Sequence, residues 1–283
     1  MSNPARLGLF YTIVRPEEKA ILSAAEARGV SVQRLDDADT TFGLERPDGL
    51  PEVVLNRSVS HTRALYAAIA YAHYGLPTVN PPEVIELAGD KVRTSLRLAA
   101  RGIPTPKTVV ALSPEAALKA VEAVSYPAVL KPAVGSWGRL MAKVDNADSA
   151  EQIIEHKVAL GSPVHSVFYV QEFVPKPDRD LRVFVVGDQV VAAMFRRSSA
   201  WRTNAARGAE ASEAPLTPEL TELALRAAEA VGGGVLAVDL MEAKGGLVVH
   251  EVNPTPEFKT LAAATGADVA GKIVDYTLEV GRR

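Results

Sequence analysis

Leu247-Val-Val-His-Glu-Val-Asn-Pro-Thr-Pro-Glu257, read with Val235-Leu-Ala-Val-Asp-Leu-Met-Glu242, is the stretch on which the reading of the chain turns. Each half is an apolar run of strand length. Ala243-Lys-Gly-Gly246 between them carries the glycines of a tight turn, so the pair predicts a β-hairpin. Asp239, Glu251 and Asn253 interrupt it with oxygen-bearing side chains. Glu251 and Asn253 lie two apart on one strand and so share a face, and pairing across the hairpin can bring Asp239 to that face. Carboxylates held that close repel, and burying them is costly unless a cation sits between them. Mg²⁺, with its preference for oxygen donors, resolves the conflict. The plain alternative is that Glu251 pairs with Lys244 or Lys259 on an exposed sheet face, and the hairpin alone does not choose.

Outward from the hairpin, the chain of 283 residues is 47% hydrophobic and 23% charged, values that favour folded lobes over disorder. Its length suits two or three lobes rather than one. A net charge of −3 offers no general attraction to nucleic acid or to an anionic membrane. The absence of cysteine excludes disulfides and thiolate chemistry and fits a reducing compartment. The start, Met1-Ser-Asn-Pro-Ala-Arg-Leu-Gly8, lacks a signal-peptide core, and no apolar run of about 18 residues occurs. The expectation is a soluble cytoplasmic protein.

In chain order, residues 7–14 read as a buried strand, residues 17–28 as a helix opened by Pro16 and stopped by Gly29, and residues 30–35 and 53–56 as further strands. Residues 62–74 read as an alanine-rich helix, and residues 78–80 return to strand. This alternation describes an open parallel α/β lobe, without a Gly-x-Gly-x-x-Gly turn. Pro81-Pro82 opens a helix that runs through Gly89-Asp-Lys-Val-Arg93 to residue 100. A strand at 107–112, a helix at 114–124 capped by Ser113, and a buried strand ending in Lys131 follow. Residues 168–174 form an apolar strand, 180–186 and 189–197 a clear hairpin, 198–213 a polar irregular stretch, and 218–231 an amphipathic helix. The tail ends in a helix.

Several polar groups could carry chemistry. Lys131 faces the glycine-bearing run Gly135-Ser-Trp-Gly138, and glycines that bare backbone N–H groups beside a lysine suit a phosphate; a solvated rim lysine is the plain alternative. Lys91 is a second phosphate candidate. Glu172, in Gln171-Glu-Phe-Val174, is a carboxylate in an apolar strand that needs a donor, either an adenine amino group or an internal ion pair. Asp180 and Arg182 share a strand face. Arg196, Arg197, Arg202 and Arg207 gather with Asn204 around the polar stretch, and guanidinium forks bind carboxylate or phosphate. The histidines at 61, 73, 156, 165 and 250 show no metal-ligand spacing, and strict alternation turns His250 away from Glu251 and Asn253. Without a thiol or a Gly-x-Ser-x-Gly elbow, stabilisation by cations is favoured over covalent catalysis.

The order of these elements resembles the ATP-grasp superfamily across almost the whole chain. Lys131-Pro-Ala-Val-Gly-Ser-Trp-Gly-Arg139, Arg179-Asp-Leu-Arg-Val-Phe-Val-Val-Gly187, Asn204-Ala-Ala-Arg-Gly208 and Glu251-Val-Asn-Pro-Thr-Pro-Glu-Phe-Lys259 are similar to RimK-type ligases, and within them to the LysX/ArgX group. That group joins the amino group of α-aminoadipate or glutamate to the C-terminal glutamate of the small acidic carrier LysW, in lysine or arginine synthesis. The resemblance implies an α/β ATP-grasp fold, with an N-terminal open parallel lobe over 1–85, a small lobe over 86–175 and a C-terminal lobe over 176–283, the latter two clasping ATP.

The resemblance further implies that Lys91 and Lys131 hold phosphates and that Gly135, Ser136, Trp137 and Gly138 close over them. Glu172, with the backbone of Phe173 and Val174, would meet adenine, and Lys176 or Asp180 ribose, with Gln171 also in the nucleotide site. Asp239, Glu251 and Asn253 would bind two Mg²⁺. Arg182, Arg196, Arg207 and Asn204 would face the transferred phosphoryl group, and Arg197, Glu257, Phe258 and Lys259 the amino acid. A LysW-like carrier and an amino acid are the implied partners, with a homo-oligomer expected and no nucleic acid or membrane. Pro254-Thr-Pro-Glu-Phe-Lys-Thr260 departs from the His-Thr-Met-Glu-Phe-Lys-Asn of the aminoadipate enzymes, and Ala209 stands where a glycine is usual. The choice among aminoadipate, glutamate and an analogue stays open. So do a RimK-like ligase with another acceptor and an ATP-binding module that no longer turns over.

Overall fold

The computed structural model describes residues 6–135, 139–161, 166–201 and 210–283. Three sheets organise them. The first is built from β1 (Arg6–Tyr11), α1 (Pro16–Ala27), β2 (Ser31–Asp36), β3 (Val53–Arg57), α2 (His61–His73) and β4 (Thr78–Val79). Its strands are parallel, in the order β2-β1-β3-β4. The local signals act as the sequence predicts: Pro16 stands at the first position of α1, Gly29 follows that helix at φ +66, and the Ser60 hydroxyl caps α2 by accepting from Arg63 N.

One helix predicted after Pro82 is in fact two, α3 (Pro82–Gly89) and α4 (Lys91–Ala100). The break is at Asp90, which is extended, and its carboxylate accepts from Val92 N at 2.8 Å and Arg93 N at 3.1 Å. A capping side chain inside an otherwise helical pattern ends one helix and starts the next. The chain continues through β5 (Thr108–Ala111), α5 (Pro114–Val124), β6 (Ala128–Lys131), β7 (Ala142–Val144), α6 (Ala147–Ala159) and β8 (Phe168–Glu172). The sheet β5-β8-β6-β7 is antiparallel and packs α5 and α6 on a core that includes Val121, Leu130, Ile154 and Phe168. Sequence periodicity left β7 and α6 unassigned.

The third sheet comprises β9 (Arg179–Val186), β10 (Gln189–Arg197) and β11 (Glu210–Glu213), then, after α7 (Pro218–Ala230), β12 (Val235–Ala243) and β13 (Gly246–Asn253). Its order is β11-β10-β9-β12-β13. The stretch read as irregular thus ends in a strand, β11, paired to β10. Alternation along β9 decides the layers: Leu181, Val183 and Val185 face α7, whereas Phe184 and Val186 face the other core. That second core runs through Leu7 and Leu9 of β1, Phe184, and Ile273 and Val274 of the last helix, so one apolar layer joins the first sheet to the third. The tail is α8 (Lys259–Thr265) and α9 (Val269–Arg282), with α9 packed against α1 and β3. No helix among the described residues is long and apolar enough to cross a membrane.

Candidate active site

A single cleft receives side chains from all three sheets. From the small sheet comes Lys131, the last residue of β6, which is only 2% exposed. Its Nζ donates to Gln171 Oε1 at 2.6 Å and lies 3.1 Å from His250 Nε2. Gln171 is itself fixed, donating to the Tyr169 hydroxyl at 2.8 Å and to Thr108 Oγ1 at 3.0 Å. Burial pushes the Lys131 ammonium down to about 7, with Lys91 adding to the effect and Glu251 opposing it. The rim-lysine alternative is therefore excluded. Lys91, first residue of α4, donates to the Gly135 carbonyl at 2.7 Å and pairs with Glu251 at 2.9 Å.

The hairpin predicted at the outset exists, with Asp239 opposite Glu251 and Ala237 opposite Asn253. Asn253 Nδ2 donates to Asp239 Oδ2 at 3.4 Å, so the oxygen-bearing trio shares one face. Glu251 pairs with Lys91 rather than with Lys244 or Lys259. The reading of His250 needs correction. The register shifts between Asp239 and Leu240, which pairs with Val249, so His250 is an extra residue in a β-bulge. The bulge breaks the alternation and puts His250, Glu251 and Asn253 on the same cleft wall. Burial, and then Lys131, hold its imidazole well below the usual histidine range.

Arginines meet these carboxylates directly. Arg182 grips Asp239 with both sides of its fork, Nε to Oδ1 and Nη2 to Oδ2, each at 2.8 Å. Arg196 Nη2 reaches the same carboxylate at 3.3 Å, and Arg196 Nε donates to Asp180 at 2.7 Å. Burial raises the Asp239 pKa, but Arg182 and Arg196 outweigh it and hold the carboxyl well below the usual range. Two carboxylates and one side-chain amide oxygen form a donor set that fits Mg²⁺, with one condition on this geometry. Asp239 must share or release its arginines when an ion is bound, and an incoming phosphate is the anion that would draw them off.

At the other end of the cleft, Glu172 Oε1 accepts from Lys107 N at 2.8 Å, so its partner is backbone, not an ion pair. Phe173 N donates to Pro127 O at 3.1 Å, which leaves only the carbonyl of Phe173's backbone for a base. Lys176 Nζ donates to Arg179 O at 3.0 Å. Val174, Lys176 and Asp180 also line the cleft. Phe258 is 2% exposed and packs edge-on against Phe184, in the core rather than on the wall. Arg197 is exposed outside the lining, and Lys259 is placed by its backbone, which donates to Glu17 at 3.1 Å. Glu257 does line the cleft, where Arg15 Nη1 donates to it at 3.2 Å. Ser136, Trp137, Gly138, Asn204 and Arg207 lie outside the described residues. Arg15, Ser58 and His61 are cleft residues that the sequence reading missed. A signal was available, because in open parallel sheets ligands sit beyond the carboxyl ends of the strands, where Arg15 and Ser58 fall.

A family model described as the RimK-like ATP-grasp domain matches residues 88–277, and one described as the LysX preATP-grasp domain matches residues 7–87. The chain belongs to the RimK-like ATP-grasp family. This RimK-like protein is 35% identical to the glutamate–LysW ligase ArgX of Sulfolobus acidocaldarius, over 96% of the chain and 97% of the relative. It is 32% identical to the α-aminoadipate–LysW ligase LysX of Sulfurisphaera tokodaii, over 95% and 96% respectively. Its fold is similar to that of a crystallised RimK domain ATP-grasp protein from Sphaerobacter thermophilus, with TM-score 0.81 and 28% identity over 97% of this chain and all of the other. The RimK-like chain is an ATP-dependent ligase.

Proposed function

We propose that this ligase joins the amino group of a small dicarboxylic amino acid, glutamate or α-aminoadipate, to the C-terminal glutamate of a LysW-like carrier protein through an acylphosphate. The observation that carries the reading is end-to-end similarity to the LysW ligases, at 35% identity over 96% of the chain. Lys91 and Lys131 bind the nucleotide's phosphates, and the Gly135 carbonyl keeps Lys91 aimed at them. Asp239, Glu251 and Asn253 would hold magnesium, two ions on this reading, and bound there it would offset the charge on the phosphoryl oxygens. Arg182 and Arg196, already at the cleft, turn from Asp239 to the phosphoryl group as it passes from ATP to the carrier carboxylate. The amine then attacks the acyl carbon, phosphate leaves, and the amine proton is released to solvent. No side chain of the chain is bonded covalently along the way.

Mass spectrometry of a purified LysW-type carrier with the enzyme, ATP, Mg²⁺ and each amino acid tests this. The expected result is a carrier heavier by one amino-acid residue, with one ADP formed per carrier. ADP formation with small-molecule acceptors and no change in carrier mass would overturn the carrier assignment.

A further inference from the structure

We propose that Arg15 binds a carboxylate of the amine substrate and that the N-terminal sheet thereby selects an amino acid over a plain amine. This rests on the ligase reading above. In the sheet order β2-β1-β3-β4, the chain departs to one side after β1 and to the other after β3. The crevice outside the carboxyl ends of such strands is where open parallel sheets receive ligands. Arg15 follows β1 and Ser58 follows β3, and both open on the cleft that holds Lys131 and Glu251.

Arg15 is fixed before any ligand arrives. Its Nε and Nη2 donate to the two oxygens of Glu18 at 3.0 and 2.9 Å, and the Glu18 side chain is 0% exposed. Glu18 is gripped in turn by buried Arg57, whose Nη1 donates to Pro256 O at 2.9 Å. The Arg57 Nη2 has no hydrogen-bond partner among the described residues. The remaining edge of Arg15, Nη1, points to the cleft and meets Glu257, whose side chain is 41% exposed. A bidentate, buried pair on one side and a longer, wet contact on the other define which partner a ligand can replace.

Glu257 therefore stands on Arg15 where a ligand carboxylate would stand. An amino acid carries a carboxylate and an ammonium on one carbon, so its arrival exchanges one ion pair for two: carboxylate on Arg15, ammonium on the released Glu257. The α-carboxylate and α-ammonium together are neutral, so they leave the charge around half-buried Arg15 and buried Glu18 and Arg57 unchanged.

Binding in the presence of AMPPNP and Mg²⁺ tests the clamp. The probes are glutamate, 4-aminobutanoate (glutamate without its α-carboxylate) and glutarate (glutamate without its amine), with the same trio built on α-aminoadipate. The wild type should prefer the amino acid over the decarboxylated amine by about tenfold or more, the scale of a hydrogen-bonded charge pair. Arg15→Gln should lose that preference while AMPPNP binding stays within about twofold. Glu257→Gln, at a wet position with little risk to folding, should weaken the amino acid but not glutarate, which no longer has to displace a carboxylate from Arg15 and should bind as well as or better than to the wild type. An Arg15→Gln protein that still discriminates overturns the clamp and leaves the ligase reading standing. A wild type that binds AMPPNP but neither amino acid overturns it too, while the mass gain of the carrier judges the ligase reading separately.

Discussion

Lys131 shows how this molecule sets a task against stability. A fully buried ammonium is disfavoured, and its pKa falls from 10.5 to about 7. Because the folded value lies below the unfolded one, the unfolded chain binds the extra proton between those limits. Stability should therefore rise with pH from about 7 to 10.5 and lose that slope below 7. Phosphate restores the charged form, so nucleotide binding near pH 8 should take up a proton, visible as a calorimetric enthalpy that changes with buffer. Lys131→Met should weaken AMPPNP binding by at least about tenfold, yet unfold at higher urea than the wild type at pH 7, a difference that narrows by pH 10. Unchanged nucleotide affinity would remove Lys131 from the phosphate site. Glu251 makes the complementary case. It is partly exposed and paired to Lys91, so Glu251→Ala should cost no more than about 1 kcal/mol of stability while abolishing ADP formation. An active variant would overturn the proposal that Glu251 holds magnesium.

At the scale of elements, Asn80 ties the first sheet to the third. Its Nδ2 donates to Val235 O at 2.8 Å and Pro254 O at 2.6 Å, and its Oδ1 accepts from Val235 N at 2.7 Å. Beside it Gly234, at φ +108, leaves no room for a side chain: a Cβ there would stand 2.1 Å from Asn80 Oδ1. Asn80→Ala strands buried backbone groups, so chemical denaturation should show a loss on the order of 3 kcal/mol. A loss below about 0.5 kcal/mol would mean water replaces the amide. Asp90→Ala should cost about 1 kcal/mol as a lost cap and raise the KM for ATP, because the same turn aims Lys91. Sequence pattern reached the hairpins β9–β10 and β12–β13 because alternation and turn glycines mark them. It could not reach the His250 bulge, since an inserted residue keeps the composition of a strand while shifting its faces. Nor did it divide α3 from α4, because the apolar period runs on through the break.

Across the whole molecule, the first and third sheets share a core in which Leu7 and Leu9 meet Phe184, Met194 and Ile273, whereas the small sheet has its own. The cleft opens between these two bodies, with Lys131 on one and Asp239 on the other. Its composition was legible as a list of polar residues in a telling order, but their pairing was not, because which arginine meets which carboxylate depends on register between distant strands. Arg15 was missed for the same reason, being 242 residues from Glu257. A nucleotide bridging the two bodies should slow amide exchange in β6 and β8 as well as in β12 and β13; protection of one body alone would contradict bridging. The most direct test is a crystal structure with AMPPNP and Mg²⁺. The triphosphate should lie between Lys91 and Lys131 on one side and metal held by Asp239, Glu251 and Asn253 on the other, with Arg182 or Arg196 drawn from Asp239 toward the terminal phosphate. A nucleotide bound elsewhere, or bound here with those three side chains taking no part, would contradict the account.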